Sequence, residues 1–187
     1  YTCHFAQPMT DSVALLAIEY VGKYLRRAVA NGQDIEARYG MAHAAMLAGL
    51  SYGSESAGAA HAMAQTLGGI YPIAHGPCVA AMLGPVMEYN WMGEPEKFAR
   101  IAQALGVNTH ELTLEEAAQA AVREVYQLVK DVQIPSLEEQ GVPKEAVSRL
   151  AQEAFNDPQT VGNPRDLTVK SYEWIYNRCF EATPLTV

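Results

Sequence analysis

His61-Ala-Met-Ala-Gln65-Thr-Leu-Gly68-Gly69-Ile-Tyr-Pro72-Ile-Ala-His75-Gly76 is an alanine-rich stretch that breaks and restarts between two histidines. The fourteen steps from His61 to His75, as unbroken helix, would hold the two apart by ~21 Å at the standard rise. Two imidazoles on one metal, each bound at roughly 2.1 Å, stand no more than about 4 Å apart at nitrogen. A shared metal therefore requires the chain to leave the helix and fold back. Gly68, Gly69 and Pro72 are the residues expected to break it. His61 then belongs to one helix and His75 to the entry of the next, with Pro77 in its first turn. Spacing alone leaves a second reading open, in which both are packed histidines. Two ligands are also fewer than a catalytic metal takes from its protein.

Working outward, the whole chain reads as helices joined by short loops, an all-α multi-helix bundle formed by residues 1–187. Thr10-Asp11 is placed to cap a helix running to about Val29, where Asn31-Gly32 ends it. A second helix is expected from Asp34 to Ser51, its alanines and glycine (Ala44, Ala45, Ala48, Gly49) suited to close packing. Residues 55–67 form the third and Pro77–Tyr89 the fourth, apolar enough to be buried on most sides. Pro95 opens a helix that stops at Gly106. Thr113-Leu-Glu-Glu116 is a capping box ahead of a helix to about Val129. Ile134-Pro135 breaks the chain, Val142-Pro143 opens a helix to Ala154, and Gly162-Asn-Pro-Arg165 precedes a last helix near 169–180.

The 187 residues carry a formal charge of −8 and a pI near 5.1, which argues against nucleic acid and anionic membrane surfaces as partners. No apolar run is long enough to span a membrane. Cys3, Cys78 and Cys179 are odd in number and in no metal-binding spacing, as expected of a reduced, cytoplasmic protein. The sequence has no phosphate-cradling glycine loop and no nucleophile elbow. His43 reads as packed, His110 as solvated, and Asp11 as a helix-start acid. Glu115-Glu116 and Glu138-Glu139 read as capping and exposed faces.

From Gly58 to Asn90 the sequence resembles the metal-binding segment of the iron-containing (group III) alcohol dehydrogenases. His61, Leu67-Gly68-Gly69, His75-Gly76 and Pro85-Val-Met-Glu-Tyr-Asn90 carry the likeness. Pro8-Met-Thr-Asp11, Ile134-Pro135 and Gly162-Asn-Pro-Arg165 frame it, so that it covers essentially the whole chain. The resemblance implies the C-terminal, all-α domain of a two-domain enzyme that interconverts a small primary alcohol and its aldehyde with NAD or NADP. It implies Fe²⁺, with Zn²⁺ or another divalent metal as alternatives, on an aspartate and three histidines, His61 and His75 being the last two. Tyr1 looks like the tyrosine that follows the first two ligands, so those ligands and the α/β cofactor domain are expected upstream of this chain, which alone is expected to be inactive. A homo-oligomer is expected. Gln65 stands where many members have a further histidine beside the nicotinamide. A cofactor contact is expected there without a proton relay, since glutamine does not titrate. Ser54, Glu55 and Ser56 differ from the family's common Asn-Ala-Gly. A non-enzymatic helical interaction module and a zinc-dependent, glycerol-dehydrogenase-like enzyme are the alternative readings.

Overall fold

In the computed structural model, which describes residues 1–52 and 57–181, the chain forms eight α-helices, and no strand occurs among those residues. They are α1 (Pro8–Ala30), α2 (Ile35–Ser51), α3 (Ala59–Ile70), α4 (His75–Asn90), α5 (Pro95–Ala104), α6 (Leu114–Asp131), α7 (Val147–Phe155) and α8 (Val169–Glu181). Ser54, Glu55 and Ser56, and with them the expected start of the third helix, lie outside the described residues. Among the described residues no helix is long and apolar enough to cross a membrane.

Helix starts follow local side-chain chemistry, with one correction. Thr10 and Asp11 do not cap α1. Gln7 does, its backbone N–H donating to Thr10 Oγ1 at 3.0 Å in a reciprocal box, which leaves Asp11 inside the first turn. Asp34 caps α2 by accepting the Ala37 N–H at 3.0 Å. Thr113 caps α6 as expected: Glu116 N–H donates to its hydroxyl, and the Glu116 carboxylate accepts from Thr113 N–H at 2.8 Å. Two orphan donors are satisfied at once, so Thr113→Ala is expected to cost about 1 kcal/mol. The check is urea unfolding, where the midpoint falls and the slope stays unchanged. Glu139 forms the same kind of box with Ser136, and Glu138 and Glu139 are exposed, as expected. Beyond Pro143 the chain first makes a 3₁₀ turn, Lys144–Ala146, and only then α7.

Burial places α4 at the centre. Its Cys78, Met82 and Val86 join α3, α7 and α8 in one apolar cluster, with Met63, Leu67, Leu150, Tyr172 and Ile175. Met87 joins a second cluster with Phe98, Ile101, Val122 and Val125 of α5 and α6. Gly84 lets α6 come close, because a Cβ there would stand 3.1 Å from the Tyr126 ring. Tyr126 donates to Glu88 at 2.7 Å, and Glu88 also holds the buried Arg178 of α8 at 3.1 Å, a charge pair whose members satisfy one another. Tyr176 of α8 donates to the Met63 carbonyl at 3.1 Å and so ties α3 to the last helix.

The α1–α2 hairpin packs on this body through α1 and α5. Close packing on α2 falls at Ala37, Gly40 and Ala44, which are buried. Ala45, Ala48 and Gly49 are exposed, contrary to the sequence expectation. The reason is register: the small residues spread around α2, and one side alone meets α1.

Candidate functional site

The break between the histidines comes from Pro72 rather than from the glycines. Gly68 and Gly69 lie inside the last turn of α3, exposed and with open space at their Cβ positions. Tyr71 precedes Pro72, whose ring disfavours helical backbone one residue earlier; Tyr71 is accordingly extended, with φ −118° and ψ 145°. Four residues then return the chain to His75, the first residue of α4.

The two histidines meet. Their ring centroids are 5.4 Å apart, with planes inclined by 59°. A metal ~2.1 Å from the nearest nitrogen of each ring sits about 3.2 Å from each centroid, so a tetrahedral pair has centroids about 5.2 Å apart. The observed separation therefore fits two imidazoles on one ion. His61, third in α3, is half-buried; His75 is exposed. Among the described residues no hydrogen bond or ion pair engages either ring, and no group of three or more histidine, cysteine, aspartate or glutamate side chains could hold a metal.

Burial, and then the proximity of His75, pushes the His61 pKa below the ordinary 6.5. The ring is therefore neutral, with a lone pair available, across neutral pH. The unfolded chain takes up the His61 proton near pH 6.5 while the folded chain still resists it, so this contribution is present above pH 6.5 and is lost as the pH falls through the lower, folded value. The melting temperature of the metal-free chain is expected to drop over that window, and less so for His61→Gln; equal drops in both would remove His61 as the cause.

The start of α3, which sets the position of His61, is built by residues far away in sequence. Gly58 is its N-cap, at φ 74° and ψ −168°, a backbone region open to glycine and strained for other residues. Without a side chain it cannot cap the helix itself. Asn163 does so from the other end of the chain: its Oδ1 faces the Ala59 N–H at 3.4 Å. Asn90 fixes that amide through two bonds of 2.8 Å, one in each direction, and Asn163 also donates to the Arg165 carbonyl at 2.7 Å. Arg165 in turn donates to the Tyr89 carbonyl and lies 4.3 Å over the Tyr89 ring. The Gly-Asn-Pro-Arg stretch was visible in the sequence without a role.

His61 also lines a cavity of 220 Å³, together with Tyr1, Cys3, Ser51, Tyr52 and Leu83. Gln65 is exposed, one turn beyond His61. It lines a separate groove with Arg149, Glu153 and Asp157. The other histidines stand apart from the pair. His4 and His110 are exposed; His43 is half-buried rather than packed, with its ring edge-on to Tyr39 at 4.2 Å and Nδ1 3.0 Å from the Tyr39 carbonyl. Asp11 pairs with Lys97 at 3.2 Å.

Comparison with known proteins agrees over the whole length. A profile of the C-terminal part of the Fe-containing alcohol dehydrogenase family matches residues 1–180. Choline dehydrogenase of Bacillus subtilis (strain 168) is 68% identical over 187 residues, all of this chain and 46% of that protein. NAD-dependent methanol dehydrogenase of Bacillus methanolicus is 38% identical over 171 residues, 91% of this chain and 45% of that protein. A crystal structure of 1,3-propanediol oxidoreductase superposes with a TM-score of 0.93 at 36% identity, covering 96% of this chain and 47% of that one. The chain thus spans about half the length of the relatives it matches.

Proposed function

The chain belongs to the Fe-containing alcohol dehydrogenase family, and on that premise we propose that it is the metal-holding helical domain of an NAD(P)-dependent alcohol dehydrogenase acting on a small primary alcohol. The observation that carries this reading is the His61–His75 pair, 5.4 Å apart and free of competing hydrogen bonds among the described residues. The remaining ligands, an aspartate and a histidine, and the α/β domain that holds most of the cofactor are assigned to sequence outside these 187 residues. Fe²⁺ is the proposed ion, and Zn²⁺ fits the same donors, because imidazoles suit both.

When bound, the metal supplies Lewis-acid chemistry, stabilising the negative charge left on the alcohol oxygen as its proton departs. The chain contributes two imidazoles at fixed separation, that of His61 kept neutral by burial, and one wall of the cavity that receives the alcohol. Nicotinamide, held mainly by the part of the enzyme outside these residues, would supply the acceptor for the hydride of the alcohol carbon. Gln65 is proposed to hydrogen-bond the cofactor; it cannot relay a proton.

Two features support a choline-type substrate: the 68% identity to a choline dehydrogenase, and Tyr52 in the wall of the cavity beside His61. Aromatic faces attract quaternary ammonium groups. A homo-oligomer is supported by the exposed Tyr39, Met46 and Leu50 of α2, apolar side chains that a partner surface would cover. A reduced, cytoplasmic setting fits three free cysteines, with burial pushing the Cys78 thiol up to about 11. The test uses the full-length enzyme with Fe²⁺ and NAD⁺. His75→Ala is expected to lower turnover by roughly 100-fold or more, and kcat/KM for choline is expected to exceed that for 1-propanol. Undiminished turnover in His75→Ala would remove His75 as a metal ligand, absence of turnover in the wild type would remove the enzymatic reading, and equal kcat/KM values the choline assignment.

A further inference from the structure

We propose that Asn163 is a positioning residue for the metal pair, and that it sets the separation of His61 and His75 by acting as a remote cap on α3. This inference rests on the reading of His61 and His75 as metal ligands, but its geometry stands apart from that reading. Gly58 offers no side-chain acceptor to the first N–H groups of α3, and Asn163 Oδ1 stands 3.4 Å from the Ala59 N–H across 104 residues. His61 is two residues further along the same turn. An acceptor at this place fixes both the axial position and the rotation of the turn that carries the ring.

The second half of the device is Asn90. It is the last residue of α4, and His75 is the first. The reciprocal amide pair at 2.8 Å in each direction holds Asn163 in place, and the Ala59 N–H and the Arg165 carbonyl select its orientation, with Oδ1 accepting from Ala59 and Asn90 and Nδ2 donating to Asn90 and Arg165. Asn90 and Asn163 are each only 4% exposed, so losing one partner leaves a nearly buried polar group unpaired in the protein. One buried junction thus joins the helix carrying His61 to the helix carrying His75. Gly93 is fitted to it as well, since a Cβ there would stand 2.8 Å from the Pro164 carbonyl oxygen.

A merely structural role would lower stability and leave the pair's geometry alone in the folded molecules. The experiment therefore reads two properties of folded protein: the nuclear Overhauser contact between the His61 and His75 rings without metal, and the affinity for Zn²⁺. Asn163→Ala is expected to weaken or abolish the ring contact and to reduce Zn²⁺ affinity by roughly 10-fold, the scale seen when a ligand loses its outer support. Asn90→Ala, which keeps the acceptor and frees its orientation, is expected to give a smaller change in the same direction, and it serves as the readable variant if Asn163→Ala does not fold. Gly40→Ala, destabilising at the α1–α2 contact, is the control and is expected to leave both readouts unchanged. A ring contact and a Zn²⁺ affinity that match wild type in both asparagine variants would overturn the proposal. If wild type and His61→Ala bind Zn²⁺ equally, the ligand reading fails instead, and the ring contact still decides the positioning role.

Discussion

Alanine at His61 is expected to reduce the affinity of the chain for Zn²⁺ by roughly 100-fold or more, because one of two metal–nitrogen bonds is lost outright, a larger effect than the 10–100-fold that follows loss of an outer hydrogen-bond partner. His75→Ala is expected to do the same. The reason lies in the observed pairing: the rings stand 5.4 Å apart, and among the described residues no third donor is gathered with them to take over a vacated position. The fold should survive both changes, since His61 is half-buried and His75 exposed. Calorimetric titration at pH 7.5 reads the affinities. Replacing His43 or His110, neither of which touches the pair, is expected to change them less than twofold. Equal losses from His43→Ala would mean adventitious surface binding. Acidification should act like mutation, and the lowered pKa of His61 carries its neutral form below the ordinary histidine range.

Gly40→Ala is expected to produce the largest loss of stability among single methyl additions, about 2 kcal/mol net. A Cβ at this position would lie 2.3 Å from Cδ2 and 2.5 Å from Cγ of Tyr24. Cγ is the base of the ring, so relief requires moving the whole side chain, and overpacking of this kind costs about 1–3 kcal/mol or somewhat more. Replacing helical glycine returns up to about 1 kcal/mol of propensity, which offsets part of the loss. Gly49 of the same helix is the internal comparison. Nothing lies within 4 Å of its Cβ position, so Gly49→Ala keeps the propensity gain and is expected to raise stability. Thermal unfolding of the two variants should move in opposite directions. A shift of both in the same sense would mean that Tyr24 is not held against Gly40.

Most of the fold was legible because its signals are local. Thr113 with Glu116, Pro95, Asp34 and the Asn31 stop act within a turn of themselves, and the helices begin and end close to where they point. Misses arose where two local signals competed. Gly68-Gly69 read as a break, yet the restriction that Pro72 places on Tyr71 acts three residues later and decides the end of α3. Thr10 read as a cap, yet it serves as the far member of the Gln7 box. The juxtaposition of His61 and His75 could be stated from sequence only as a requirement of a shared metal, and the return through Tyr71–Ala74 meets it. The Asn163–Asn90 junction was not legible, because it joins residues 73 positions apart and no period in the sequence records such a contact.

In the proposed site His61 and His75 bind one ion between them. This is tested most directly by following the ring nitrogens of all five histidines by ¹⁵N NMR during a Zn²⁺ titration. The His61 and His75 signals are expected to shift together and saturate at one equivalent, while His4, His43 and His110 stay in place. Independent shifts of His61 and His75, or earlier saturation at one of the other three, would contradict a shared ion.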